Sequence, residues 1–267
     1  MALRLTPAPP QTLQTTALRP LSLLFKNSHA PAPPPNSTNP KFGLTILTNT
    51  RTPRRLLARA SSTSEFVPNI GDILGDISIF KASGDPVFFK HLWDQKQGVA
   101  VVALLRHFGC PCCWELASAL KEAKPSFDTA GVKLVAVGVG TPNKARILAD
   151  RVGLLISFTC KLPFPADCLY ADPDRKAYDV LGLYYGLGRT FFNPASVKVF
   201  SRFESLQKAV KNYTIEATPD DRSSVLQQGG MFVFKGKQLL HAWKDEGTGD
   251  HASLDDILGV CCKVPVE

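Results

Sequence analysis

Two apolar runs interrupt the mixed polarity of the chain, at 100–105 and 132–139. The first lies within Gly98-Val-Ala-Val-Val-Ala-Leu-Leu105, the second reads Val132-Lys-Leu-Val-Ala-Val-Gly-Val139. Neither shows strand-like polar alternation along its length, which suits strands covered on both faces, as in a parallel sheet. Between them Leu116, Leu120 and Ala123 recur at helical spacing over 114–124, with Pro125 ending the helix. Strand, helix, strand in this order predicts a right-handed parallel βαβ unit. A second helix opens at Thr141-Pro142, carries Ile147, Leu148 and Val152 as its stripe, and stops at Gly153. Residues 168–171 read as a short third strand, and Asp172-Pro173 caps a helix to about Leu181.

Upstream, 76–80 alternates like an edge strand, Gly84-Asp85-Pro86 is a turn signal, and 87–93 reads as a short helix. Downstream, 182–222 breaks the pattern: Tyr184, Tyr185, Phe191 and Phe192 gather around Gly186 and Gly188, and 196–211 reads as a helix. This stretch is expected to be an insertion that covers a sheet edge, walls a substrate site, or serves packing alone. Residues 231–234, the turn Lys235-Gly236-Lys237 and 238–243 form a hairpin, and 254–262 is the last helix. The order predicts an α/β, thioredoxin-like fold over 66–262. It has a central mixed sheet flanked by helices, an N-terminal extension, and an insertion at about 182–222 before the C-terminal hairpin.

The net charge of +8 suggests a polyanion partner until it is located. Residues 1–64 carry eight bases and no acid; without those eight, 23 bases remain against 23 acids. The globular part is therefore near neutral, and no nucleic-acid surface is expected. The tail is rich in Ser, Thr, Pro, Ala and Arg and contains Pro31-Ala-Pro-Pro-Pro35, which excludes a helix there. Residues 1–60 therefore read as a chloroplast transit peptide, cleaved near Arg59-Ala60-Ser61, with a disordered interaction arm as the alternative. The run 20–25 is too short to span a bilayer, and no apolar segment follows Arg54-Arg55. The expected location is the chloroplast stroma, with no membrane partner.

Candidate chemistry lies at Cys110-Pro111-Cys112-Cys113, directly after the first apolar run. A C-x-x-C pair between a buried strand and a helix is the arrangement of a thiol–disulfide site. A helix N-terminus lowers a thiol pKa, and residues three apart on a helix share a face. Cys110, at the exposed start of the turn, is the expected nucleophile, and Cys113, one turn in, the resolving thiol. Cys112 is a bystander in this reading, since i and i+2 do not face each other on a helix. Two structural thiols, or half of a zinc or iron–sulfur site, are the competing readings. No second C-x-x-C completes a metal site, and Cys261-Cys262 is a poor chelating pair. Cys160 and Cys168 flank Pro163-Phe164-Pro165 and are expected to be free, and one of Cys261 and Cys262 to face the core. Gly138-x-Gly140 lacks the third glycine of a dinucleotide loop, so no cofactor is expected.

The segment Leu105-Arg106-His107-Phe108-Gly109-Cys110-Pro111-Cys112-Cys113-Trp114-Glu115-Leu116 resembles the peroxiredoxin-like group of the AhpC/TSA superfamily, and most the plant chloroplast thioredoxin-like members. Tyr170-Ala-Asp-Pro-Asp-Arg175 and Gln227-Gln-Gly-Gly230 are similar to further landmarks of that family. The resemblance spans about 66–262 and implies a thioredoxin fold with redox function through Cys110 and Cys113. Three positions depart from it. His107 and Ala103 stand where typical peroxiredoxins have Thr or Ser and Pro, and Gln228-Gly229-Gly230 stands where thioredoxins have a cis-proline. The last argues against a general reductant of protein disulfides. Arg106 and His107 are the candidates to replace the missing hydroxyl, by lowering a thiol pKa or donating to a peroxide oxygen; a purely structural His107 is the alternative.

The leading expectation is an oxidoreductase that reduces a peroxide or an oxidised thiol substrate. Its electrons would come from a stromal thiol such as thioredoxin or glutathione. A non-catalytic redox-sensing or docking module is the second reading, and a lipid endoperoxide reductase the third.

Overall fold

The structure is a computed structural model and describes residues 65–152 and 164–263. The expected transit peptide at 1–60 with its cleavage point, the stop at Gly153, and Cys160 lie outside the described residues. The chain runs through α1 (Ile70–Gly75), β1 (Ser78–Lys81), β2 (Pro86–Phe88), β3 (Val99–His107), α2 (Pro111–Thr129), β4 (Val132–Val139), α3 (Pro142–Val152) and β5 (Leu169–Ala171). Four short helices follow: α4 (Lys176–Val180), α5 (Leu187–Phe191), α6 (Lys198–Ser201) and α7 (Phe203–Ala209). The hairpin β6 (Gly230–Lys235) and β7 (Gln238–Lys244) and the helix α8 (Leu254–Cys261) complete it.

The strands form one mixed sheet in the order β2-β1-β5-β4-β3-β6-β7. β3, β4 and β5 are parallel, and β6 runs antiparallel to β3. This is the thioredoxin-like arrangement expected from the order of elements. The unbroken apolar runs are explained by two cores, one on each face. Val101, Ala103 and Leu105 of β3 pack with Leu116, Leu120 and Phe127 of α2. Val102 and Leu104 point the other way, onto Leu74, Phe89, Tyr178 and Leu181. Each fully buried Leu or Val of this kind stabilises the fold by about 1.5–3 kcal/mol. Among the described residues no helix is long and apolar enough to cross a membrane.

The end of β3 is irregular. Leu104 pairs with Val137 and His107 with Val139, so three steps along β3 match two along β4. This one-residue bulge breaks the alternation, and Leu105 and Phe108, three apart, both join the α2-side core. It therefore re-aims the residues that enter the cysteine turn.

Several elements differ from expectation. β1 is interior, between β2 and β5, and the edges are β2 and β7. Residues 87–93 contain the end of β2 and a 3-10 turn, Phe89–His91, in place of a helix. Pro125 lies inside α2, which continues to Thr129. Its missing N–H is tolerated because Phe127 is fully buried and anchors the last turn. Lys124 reaches Asp128 at 2.7 Å, and Thr129 Oγ1 donates to the Pro125 carbonyl at 2.8 Å. The helix expected at 196–211 is broken at Arg202 (φ −113°, ψ 24°), whose guanidinium is drawn to the Gly249 carbonyl at 2.5 Å. Asp172 does cap a helix, accepting from the backbone N–H groups of Lys176 and Ala177, although α4 starts only at Lys176.

Candidate active site

β3 delivers Cys110 to the N-cap of α2, with Pro111 at the first helical position. The helix begins three residues before the expected Trp114, so Cys112 and Cys113 occupy its first turn. The Cys110 carbonyl accepts from the N–H groups of Cys113 (2.9 Å) and Trp114 (3.2 Å), and Cys110 N–H donates to His107 O at 3.1 Å. Trp114 Nε1 donates to the Phe108 carbonyl at 2.6 Å and holds the chain on the other side of the turn.

The three sulfurs meet at Cys110. Arg106 Nη1 donates to Cys110 Sγ at 3.3 Å. The thiols of Cys112 and Cys113 also hydrogen-bond to it. These two bonds, followed by the charge of Arg106, outweigh burial and hold the Cys110 thiol well below its ordinary pKa. Cys113 goes the other way: burial, and then the hydrogen bond to Cys110, push it up. Its sulfur accepts the Arg106 backbone N–H at 3.2 Å. Cys112 is raised as well, first by its bond to Cys110 and then by burial. The turn thus holds one ionisable thiol and two that keep their protons. All six cysteines among the described residues are free.

Two expectations about this turn are corrected. Cys112 is not remote from Cys110. The helical spacing rule fails here because Cys110 is a cap in extended backbone (φ −89°, ψ 122°), outside the helix proper. Cys110 is also not exposed. It is 2% accessible and Cys113 is fully buried. The second half of the 182–222 stretch is the reason: 203–218 lies across the cysteine turn, α2 and α3. Tyr213 donates to the Gly109 carbonyl at 2.8 Å and packs edge-on against Trp114, with ring centroids 5.3 Å apart. Ala217 joins the core beside Cys110, and Thr218 lies so close to Gly109 that any Cβ there would overlap it.

Arg106 is 4% exposed and fully engaged: Nε donates to Gln227 O at 3.0 Å and Nη2 to Val225 O at 2.7 Å. His107 is also buried, and its Nδ1 has no hydrogen-bond partner among the described residues. Burial, assisted by the charge of Arg106 and opposed by Cys110, lowers its pKa to about 4. The imidazole is therefore neutral near pH 7, and the positive charge at the sulfur comes from Arg106. Gly229 sits directly against the end of β3, where a Cβ would overlap the Leu104 carbonyl.

Sequence reasoning missed a second buried pair. His251 Nδ1 meets Asp245 Oδ2 at 2.8 Å, and His251 Nε2 lies 3.3 Å from the Cys112 carbonyl. Burial opposes a charge on His251, but Asp245 outweighs it and raises the His251 pKa; burial also raises that of Asp245. Neither residue sits in a local motif, so no pattern announced the pair. Away from the turn, burial pushes Cys168 up to about 12 and Cys261 up to about 11. Cys261 faces the core and Cys262 is exposed.

A family model described as AhpC/TSA antioxidant enzyme matches residues 119–247, beginning just beyond the cysteine turn. The thioredoxin-like protein AAED1, chloroplastic, of Arabidopsis thaliana is 28% identical over 205 residues, 76% of this chain and 77% of that one. A prostamide/prostaglandin F synthase of Xenopus tropicalis is 30% identical over 193 residues, 68% of this chain and 84% of that one. The solved peroxidoxin BcpB of Mycobacterium tuberculosis overlays with a TM-score of 0.47 at 15% identity, covering 74% of this chain and 99% of that one. With these relatives and this sheet, the chain belongs to the peroxiredoxin-like AhpC/TSA family of thioredoxin-fold proteins, a family of antioxidant, redox-active character.

Proposed function

We propose that the protein is a thiol-dependent peroxide reductase in which Cys110 attacks and Cys113 resolves. The observation that carries this reading is the Arg106 guanidinium 3.3 Å from Cys110 Sγ, with two further thiols donating to the same sulfur. In the first step the Cys110 thiolate takes the terminal oxygen of ROOH and becomes a sulfenic acid. The O–O bond breaks, and the alkoxide leaves with a proton as ROH. In the second step the Cys113 thiol displaces water from that sulfenic acid, forming the Cys110–Cys113 disulfide. An external thiol supplies the two electrons that reopen it. Arg106 lowers the thiol pKa and His107, neutral, offers a ring N–H to the peroxide oxygen. Because 209–218 closes over the sulfur, turnover requires that stretch to lift. It is built of short helical turns, the kind of segment that opens locally.

Residues 1–60 act as a chloroplast transit peptide in this reading, and the mature protein works in the stroma. The chloroplastic relative and the acid-free, hydroxyl-rich tail support it. The substrate is a peroxide. A lipid hydroperoxide or endoperoxide is favoured by the exposed apolar Tyr185, Leu187, Phe191 and Phe192 and by the name of the Xenopus relative. The burial of all three thiols favours a second reading, a redox-sensing or docking module. Peroxide consumption by the parent protein, Cys110→Ser and Cys113→Ser, with hydrogen peroxide and a lipid hydroperoxide, separates the two. Loss of turnover in Cys110→Ser is expected. Equal, negligible rates in all three would leave only the sensing module.

A further inference from the structure

We propose that Asp245 and His251 are positioning residues, a proton-bridged strut that holds the Arg106 segment against the cysteine turn and lets go when the bridge loses a proton. This rests on Cys110 being the attacking thiol and gives the buried pair a part in activating it. Placement argues first. The Arg106 guanidinium is anchored on the carbonyls of Val225 and Gln227, outside the turn. Its 3.3 Å approach to Cys110 Sγ therefore depends on how the 225–229 segment and the turn are held together. Asp245 directly follows β7, and its N–H donates to the Gly229 carbonyl at 3.0 Å. Its carboxylate lies at the end of β3: a Cβ on Gly229 would stand 3.0 Å from Asp245 Oδ2 and 3.5 Å from the Arg106 nitrogen. His251, at the far end of the same loop, brings Nε2 to 3.3 Å from the carbonyl of Cys112, in the first turn of α2. The 2.8 Å contact between His251 Nδ1 and Asp245 Oδ2 joins the two sides.

The loop between them is pinned, so neither end swings freely. The Glu246 carbonyl accepts from Asn193 Nδ2 at 2.8 Å, and Thr248 Oγ1 donates to the Thr190 carbonyl at 2.8 Å. Trp243 Nε1 donates to the Asp250 carbonyl at 2.8 Å, and Asp250 Oδ2 accepts the Glu246 N–H at 3.2 Å. Inside this frame the partners fix the proton count. A carbonyl only accepts, so Nε2 carries a hydrogen toward Cys112. The carboxylate accepts as well, so Nδ1 carries the other. The imidazolium alone meets both partners. The two side chains are 3% and 2% exposed, so the bulk solvent serves neither nitrogen.

The surrounding charges agree with that count. Burial opposes the charge on His251, and Asp245 outweighs burial; Arg202 opposes it, while Cys110 and Glu115 favour it from the turn and from α2. Asp250 and Arg106 act on the Asp245 carboxylate, the first against its charge and the second for it. The His251 pKa is thus raised above its ordinary 6.5. A group raised in the folded state contributes its full stability below pH 6.5 and loses it as the pH climbs through the raised value. There Nε2 gives its proton to solvent, while Nδ1 keeps its hydrogen on Asp245. A lone pair then faces the Cys112 carbonyl, and the strut parts at the cysteine turn.

The test uses the full-length protein, first without substitution. Nitrogen-15 NMR of labelled histidine is expected to show both His251 ring nitrogens protonated at pH 7. Oxidation of Cys110 by hydrogen peroxide, quenched with acid and mapped by mass spectrometry, is expected to slow on the alkaline side at the pH where the Nε2 proton is lost. Two variants then divide the strut. His251→Asn keeps a donor near Nδ1 for Asp245 but does not reach Cys112; His251→Gln places an amide donor near Nε2 and does not ionise. At pH 7 the oxidation rate falls about tenfold or more in His251→Asn, since misplacement by about 1 Å costs up to about a hundredfold. His251→Gln retains the greater part of the rate, and its alkaline slowing disappears. An unprotonated nitrogen at pH 7, no alkaline slowing in the parent protein, or equal rates in both variants overturns the strut. The first two readouts need no variant to fold. Failure of the underlying reading looks different: peroxide then leaves Cys110 unoxidised at every pH. In that case the midpoint of Cys110 alkylation by iodoacetamide decides, higher in His251→Asn than in His251→Gln if the strut holds and equal if it does not.

Discussion

Replacing Arg106 with Met removes the one formal charge that, among the described residues, hydrogen-bonds to the Cys110 sulfur. At 3.3 Å and an effective dielectric near 20, two unit charges interact by about 5 kcal/mol. The guanidinium charge is spread over three nitrogens, and two of them face the carbonyls of Gln227 and Val225. About half of that figure reaches the sulfur, so the ionised form of Cys110 loses that support and its pKa rises. The Cys112 and Cys113 thiols still donate to it, so it stays below that of an isolated buried thiol. Arg106→Lys keeps a charge but cannot serve three acceptors in one plane, and falls between the two. The assay is iodoacetamide alkylation of Cys110, located by peptide mapping, as a function of pH. The midpoint is compared and not the rate, because burial slows every variant. Thermal unfolding of each variant verifies that the turn is still formed. An unchanged midpoint in a folded Arg106→Met protein would refute the assignment of Arg106 as an activating group.

The other predictions concern what encloses the turn. His107 has its pKa lowered to about 4 by burial, against about 6.5 when unfolded, so the unfolded chain binds the extra proton between those values. The stability due to a neutral His107 is complete above pH 6.5 and is lost as the pH falls toward 4, by at most about 3 kcal/mol. Urea unfolding at pH 7 and pH 5 should therefore show a smaller loss in His107→Leu than in the parent; an equal loss contradicts the burial argument. Tyr213→Phe deletes the bond to the Gly109 carbonyl while keeping the ring against Trp114. It should cost about 1 kcal/mol in thermal unfolding and speed Cys110 alkylation at fixed pH. Unchanged alkylation would mean that Tyr213 does not hold the cover closed.

The central strands were legible because burial on both faces leaves an unmistakable mark, an apolar run without alternation. The C-x-x-C pair was legible because it follows such a run. Pro125 misled because a local rule for helix ends was overridden by a distant one, the burial of Phe127 in the core. The cover over Cys110 was illegible for the same reason. Nothing in 209–218 states that Tyr213 reaches back to Gly109, more than a hundred residues earlier. Cys112 was misjudged by applying helical spacing to a residue pair of which one member is the cap. Asp245 and His251 come together across a loop with no motif around them, so only the fold brings them under the cysteine turn.

The extra residue near the end of β3 has a consequence for how this protein can change. Side chains on a strand obey a parity, and the insertion flips that parity only where the scaffold hands over to chemistry. Substitutions further back, at Val101 or Leu104, tune packing without altering which way the guanidinium of Arg106 is presented. Losing a single residue between Leu104 and His107 would do the opposite: the bulge would close with His107 still opposite Val139, and the turn would be short of either Leu105 or Arg106. Length at this one spot is therefore held more tightly than composition.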